Sequence, residues 1–310
     1  MDGEVKVFAP ASVANVACGF DILGFALHRP GDEIVARWAD QPGLRITQIT
    51  GAGDKLSYDV NRNTAGFAAQ KLLEHLGQTH LGIEMQIHKK MPFGSGLGSS
   101  AASAAAGVMA VNELLGAPLG NKEILPFAVL GEQIADGAYH ADNVGPSLLG
   151  GMLRIRSNTT LDVCSLPVPD NLYAAVVYPH VQVLTKTARE VLSPNVTLKQ
   201  TIEQSGNLGA LIVGLYNSDF ELISRSLQDV IIEPQRASLI PHFYEVKKAA
   251  LESGALGCSI SGAGPSIFAL CIGEAIAQTV GQAMSQVFSQ AQIENQIFVS
   301  AINQDGAVKI

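Results

Sequence analysis

Charge is what this sequence has least of: Asp, Glu, Lys and Arg together supply 15% of 310 residues, against about 25% in an average globular domain. So little charged surface suits a large core and a buried subunit interface, and the expectation is a homodimer. Basic residues are the scarcer sign, 20 Lys and Arg against 28 Asp and Glu, for a formal charge of −8. That balance excludes a nucleic-acid partner, because affinity for a phosphate backbone needs clustered cations that release counterions. Cysteine is sparse as well. Cys18, Cys164, Cys258 and Cys271 are scattered, with neither paired metal-ligand spacing nor the density of a secreted scaffold, and they read as reduced core residues. Long apolar runs are missing too. The most apolar stretch, Ala101 to Val111, falls far short of the roughly 20 residues that cross a bilayer. The opening "MDGEVKVFAP" is acidic where a signal peptide is basic, so a cytoplasmic protein without a membrane partner is expected.

What is present is an α+β pattern. "VKVFAP" alternates as a strand should and is expected to stop at Pro10, followed by strands in "DEIVARW" and "LRITQI". Residues 63–76 turn helical, "GIEMQIHKK" returns as a strand, and helices are expected over 99–115 and 122–139. "GGMLRIRS" and "LYAAVVYPH" are strands, the helices lengthen beyond about residue 185, and "GCSISGAGPSIFALC" supplies two strands joined by a glycine turn before a helix over 274–287 and a last strand, "QIFVSAI". The length exceeds that of a single growing core, so two domains are expected, with a boundary near "LPVPDN". Strand pairs outnumber strand–helix–strand alternation, which disfavours a doubly wound nucleotide fold.

Between a strand and an alanine-rich helix lies "PFGSGLGSSAASAAAG", from Pro92 to Gly107. It lacks the Lys-Ser/Thr of a P-loop and the acidic residue of a dinucleotide fingerprint. Glycines nevertheless let a backbone close on an anion, and a helix N-terminus adds open N–H groups and partial positive charge. A turn that merely packs the helix tightly remains the alternative.

Other polar residues stand in unusual company. Asn15 and Asp21 lie in a loop between apolar stretches, where they bind something or cap backbone amides. Glu132 precedes His140 by eight residues, and His140, Asp142 and Asn143 crowd a helix end as ligands or as caps. Thr185 and Arg189 share a helix face, and Arg236 follows Pro234. Two arginines brought together would hold a carboxylate, although exposed helical arginines are also common.

With these residues in view, the chain resembles the homoserine kinases of the GHMP kinase superfamily. "APASVANVACGFDILGFAL" is similar to that superfamily's first motif, "MPFGSGLGSSAA" to its ATP-binding motif, and "SGAGPSIFAL" to its glycine-rich third motif. The resemblance implies a two-lobed GHMP kinase fold: an N-terminal ribosomal-protein-S5-like α/β lobe over 1–165, which binds ATP, and a C-terminal ferredoxin-like α+β lobe over 166–310. It implies transfer of phosphate from ATP to L-homoserine, with Mg²⁺. By the same resemblance Asn15, Asp21, His140, Asn143, Arg189 and Arg236 line the homoserine pocket. Asn63, Pro92, Phe93, Gly94, Ser95, Gly96, Leu97, Gly98, Ser99, Ser100, Ala101 and Ala102 hold ATP, Ser99 and Glu132 hold the metal, and Asn143, Glu132, Thr185 and Arg189 serve the chemistry. Several superfamily members carry aspartate where Asn143 stands, and an amide is no base. Catalysis without a dedicated protein base is therefore expected, with Asp142 as the alternative.

Overall fold

A computed structural model describes residues 3–137 and 139–310, leaving Ala138 of the expected third helix outside the described residues. The chain begins with β1 (Glu4–Ala14), β2 (Leu23–Trp38) and β3 (Gly43–Thr50), then α1 (Thr64–His75), β4 (Gly82–His88), α2 (Ser99–Leu114), α3 (Asn121–Asp136) and α4 (Val144–Leu149). It continues through β5 (Met152–Ser157), β6 (Asp162–Leu166), β7 (Leu172–Pro179), α5 (Thr185–Glu190), α6 (Leu198–Asn217), α7 (Phe220–Ser226), α8 (Glu233–Arg236) and α9 (Phe243–Glu252). The final elements are β8 (Gly257–Ile260), β9 (Ile267–Ile272), α10 (Glu274–Gln290), β10 (Asn295–Ala301) and β11 (Val308–Lys309).

Two sheets organise these elements. The first runs β11-β1-β2-β4-β3, with β5 pairing the start of β2 and β6 pairing β5. Only β3 and β4 are parallel, which accords with the lack of strand–helix alternation in the sequence. The second is antiparallel, β10-β7-β9-β8, the strand order of a ferredoxin-like βαββαβ unit. β1 does not stop at Pro10. Its register shifts between Pro10 and Ser12, and a bulge is where a strand tolerates a residue without an N–H.

Small residues bring the helices together. A Cβ on Gly107 would lie 2.7 Å from the Ala65 carbonyl oxygen, and one on Gly131 2.6 Å from that of Thr64. Both α2 and α3 thus press against α1, and α2 is buried along nearly its whole length. The lobes meet through a shared core in which the Phe25 and Phe268 rings pack edge-on, 6.0 Å apart. No helix among the described residues is long and apolar enough to cross a membrane.

Candidate active site

A cleft with a cavity volume of ≈ 260 Å³ opens between the lobes. One wall is the stretch between β4 and α2. Gly94, Gly96 and Gly98 there have φ of 62°, 76° and 67°, a region that side chains resist. Gly96 is also sterically obligatory, since a Cβ would sit 2.6 Å from the Ser261 carbonyl oxygen and 2.9 Å from that of Gly264. The second glycine turn buttresses the first: Ser261 Oγ donates to Gly96 O at 2.6 Å, and Ser266 N to Ser95 O at 3.1 Å. No side-chain cap bond closes the N-terminus of α2, and amides left open at a helix start can take an anion.

Gly94, Ser95, Gly96, Gly98, Ser99, Ser100 and Phe93 line the cleft. Leu97, Ala101 and Ala102 are fully buried, so they offer a ligand only backbone, and neither they nor Pro92 lines the cavity. Asn63 lines it as well, but its Oδ1 accepts from Ala65 N and Gly66 N as the cap of α1.

Gly131 seats α3 so that buried Glu132 reaches the start of α2. There Ser100 Oγ donates to Glu132 Oε1 at 2.7 Å, while Ser99 Oγ donates instead to Asp32 at 3.2 Å. One carboxylate and one hydroxyl suit Mg²⁺, which keeps several waters and takes the rest of its shell from phosphate oxygens. Among the described residues no group of three or more His, Cys, Asp or Glu side chains is placed to hold a metal ion.

The opposite end of the cleft is built from three segments. Asn15, Val16 and Ala17 follow one another at φ of 73°, 43° and 59°, and Asp21 has φ 60°. Four left-handed non-glycine residues so close together cost roughly 1 kcal/mol or more each and mark a functional loop. Asn15 holds it in place, donating from Nδ2 to Gly262 O at 2.8 Å and accepting from Asp21 N at 3.1 Å. Arg189 of α5 forks onto Asp21, with Nη1–Oδ2 at 3.1 Å and Nη2–Oδ1 at 3.0 Å. Thr185 stands on the same helix at the cleft wall. Arg236, 3% exposed, donates to the carbonyls of Ala188 and Gly262 and has no carboxylate within ion-pair distance among the described residues. Burial first, and Arg189 second, lower its pKa to about 10. Its guanidinium lies 4.9 Å from the Phe20 ring centre, with that of Arg189 5.7 Å away on the same ring.

Between these ends sit His140, Asp142 and Asn143. His140 Nδ1 and Asp142 Oδ1 are 2.6 Å apart. Asn143 Oδ1 accepts from Ser12 Oγ at 2.9 Å, and a Cβ on Gly98 would meet the same Oδ1 at 2.9 Å. The glycine loop and the substrate end are therefore in contact at Asn143. All the polar side chains singled out in the sequence converge on this one cleft. Three were overlooked: Asp32, Phe20 and Ser103. Period-2 alternation in "DEIVARW" puts Asp32 on the same face as Ile34 and Ala36, a signal that an acidic residue enters the core.

Residues 63–151 match the model of the GHMP kinases N terminal domain, and residues 211–290 that of the GHMP kinases C terminal domain. The chain is 48% identical to the homoserine kinase of Chlorobium phaeobacteroides over 98% of both chains, and 47% identical to that of Chlorobaculum tepidum over 98% and 97%. A crystal structure of homoserine kinase from Cytophaga hutchinsonii superposes with a TM-score of 0.97 at 53% identity, covering 99% of this chain and 97% of that one.

Proposed function

The chain belongs to the homoserine kinase family of the GHMP kinases and transfers phosphate from ATP to L-homoserine, and on that premise we propose how its cleft divides the work. The observation that carries the assignment is Arg236, a buried cation that donates to two carbonyls and has no carboxylate within ion-pair distance among the described residues. Such a group is costly to bury without a counter-charge, and the carboxylate of an amino-acid substrate supplies one. Arg189 takes the second carboxylate oxygen and Asp21 takes the ammonium. Both must first leave each other, so the zwitterion exchanges one ion pair for two without changing the net charge of the site. Asn15 and His140 complete the walls of the homoserine pocket, and Thr185 stands beside the reacting hydroxyl.

The hydroxyl is then directed towards Asn143 and the glycine loop. ATP lies along that loop, its phosphates held by amides of residues 94–100 and by the α2 N-terminus. Pro92, Leu97, Ala101 and Ala102 act through backbone and packing, and Asn63 caps the helix beside the nucleoside. Glu132 would hold Mg²⁺, with Ser100 already bonded to it and Ser99 free to join only by turning from Asp32. When bound, the ion would supply positive charge to offset that developing on the phosphates. The protein's part is positioning.

No side chain is assigned as general base. Asn143 cannot accept the proton, and the Asp142 carboxylate is committed to His140. The hydroxyl proton leaves to phosphate or water. Asp142→Asn tests this: kcat is expected to stay within about 10-fold, whereas a fall of 10³-fold or more in a folded variant would make Asp142 the base. By the same reading residues 1–165 hold the nucleotide and share the substrate pocket with residues 166–310, in a cytoplasmic homodimer whose mass in solution can be measured directly.

A further inference from the structure

A loop with three left-handed glycines has little stiffness of its own, so its shape is set by its anchors, the second glycine turn at its middle and the fixing of its two ends. Both ends meet at one carboxylate. Asp32 is fully buried in β2. At the start of the loop its Oδ1 accepts from Lys90 N at 2.8 Å and Met91 N at 3.2 Å. At the end of the loop its Oδ2 accepts from Ser99 Oγ at 3.2 Å and Ser103 Oγ at 3.3 Å. Lys89 closes the cluster, its ammonium paired with Asp32 and donating to Ser99 O and Ser103 Oγ, both at 2.7 Å. These three partners use all the protons an ammonium has. Lys90 turns outward to Glu33, so neither lysine before the loop copies the phosphate-gripping lysine of a P-loop.

Position separates this cluster from an ordinary buried ion pair. Lys89, Ser99 and Ser103 form part of the cleft wall, and the seven residues between Met91 and Ser99 cross the cleft with their middle held by the second glycine turn and both ends tied to this cluster. We propose that Asp32 is a positioning residue for the nucleotide: through Lys89, Ser99, Ser103 and the amides of Lys90 and Met91, it fixes both ends of the glycine loop so that the loop's N–H groups converge on the polyphosphate. This rests on the reading that the glycine loop holds ATP.

The test is calorimetric titration with magnesium-ATP, together with steady-state kinetics, on Asp32→Asn, Ser103→Ala, the double variant Asp32→Asn/Lys89→Met, and Gly94→Ala as a change within the loop. Asp32→Asn turns an amide N–H₂ either at the Lys90 and Met91 amides or at the Lys89 ammonium. It is expected to weaken ATP binding about 30-fold or more, while KM for homoserine stays within about 3-fold of wild type. Ser103→Ala shifts ATP affinity the same way by about 3- to 10-fold, and decides the matter if Asp32→Asn does not fold. The double variant strands no ammonium and binds ATP more tightly than Asp32→Asn; no recovery would overturn the coupling through Lys89. An Asp32 that served stability alone would lower Tm and the active fraction and leave both substrate affinities at wild-type values. That result, with Gly94→Ala weakening ATP binding, overturns the inference about Asp32. If Gly94→Ala also leaves ATP binding unchanged, the assignment of the loop itself falls and takes Asp32 with it.

Discussion

Arg236→Met removes a guanidinium while keeping much of its unbranched reach. In the proposed complex the guanidinium makes charge-assisted bonds to the substrate carboxylate, each expected to contribute roughly 1.5–3 kcal/mol. Arg189 and water recover part of that, so KM for homoserine is expected to rise about 100-fold, or about 2.7 kcal/mol. Fold stability responds to two opposed effects. The carbonyls of Ala188 and Gly262 lose a donor, while the desolvation that depresses the Arg236 pKa to about 10 disappears. Below that pH the folded and unfolded chains both carry the proton and the penalty is present in full; it is relieved only as pH rises above about 10. At neutral pH a bound carboxylate therefore offsets it, and homoserine at 100 times its Kd should stabilise the wild type by about 2.7 kcal/mol, a rise in Tm that the variant shows only at far higher concentration. The decisive assay compares kcat/KM for homoserine and for 3-aminopropan-1-ol, its analogue without the carboxylate. Wild type should prefer homoserine by about 100-fold, and Arg236→Met by about 3-fold or less. Equal losses on both substrates would refute the contact between Arg236 and the carboxylate.

Gly96→Ala pushes a methyl into the Ser261 and Gly264 carbonyls at a φ of 76°; it should lower Tm by roughly 6 °C, from about 3 kcal/mol of strain and clash, and weaken ATP binding at least 10-fold. Thermal melts with and without magnesium-ATP measure both, and a variant with wild-type Tm and ATP response would contradict the contact between the two glycine turns. Glu132→Gln keeps an acceptor for Ser100 but loses the charge, so the Mg²⁺ concentration for half-maximal activity should rise about 10-fold, with much of kcat restored at saturating Mg²⁺. A metal requirement unchanged from wild type would remove Glu132 from the metal site.

The parts of the site that depend on residue type and local spacing are legible in the sequence. The glycine loop, the serines at the helix start and the polar residues in otherwise apolar segments announce themselves before any contact is known. What depends on direction is not legible. Ser99 and Ser100 are equivalent in composition, yet successive helical residues diverge by about 100°, and only Ser100 faces α3 and Glu132. The Asp21–Arg189 pair joins residues 168 apart in the chain, beyond the reach of any local pattern. β1 outruns its expected end because the partner strand accommodates Pro10 at a bulge, a tertiary decision that the proline alone does not disclose.

The pairing of β11 with β1 has a consequence for how the protein is made. Val308 lies opposite Phe8, Lys309 opposite Val7, and Asn303 is bonded to Ala26, Leu27 and Gly151 of the first lobe. While the ribosome is still reading the second half of the message, the nascent first sheet stands with one border exposed and no strand to cover it. Residues 303–309 can cover that border only once they have emerged, so the first sheet is completed after the second has been synthesised, and a product cut short by these few residues leaves that edge of β1 unpaired.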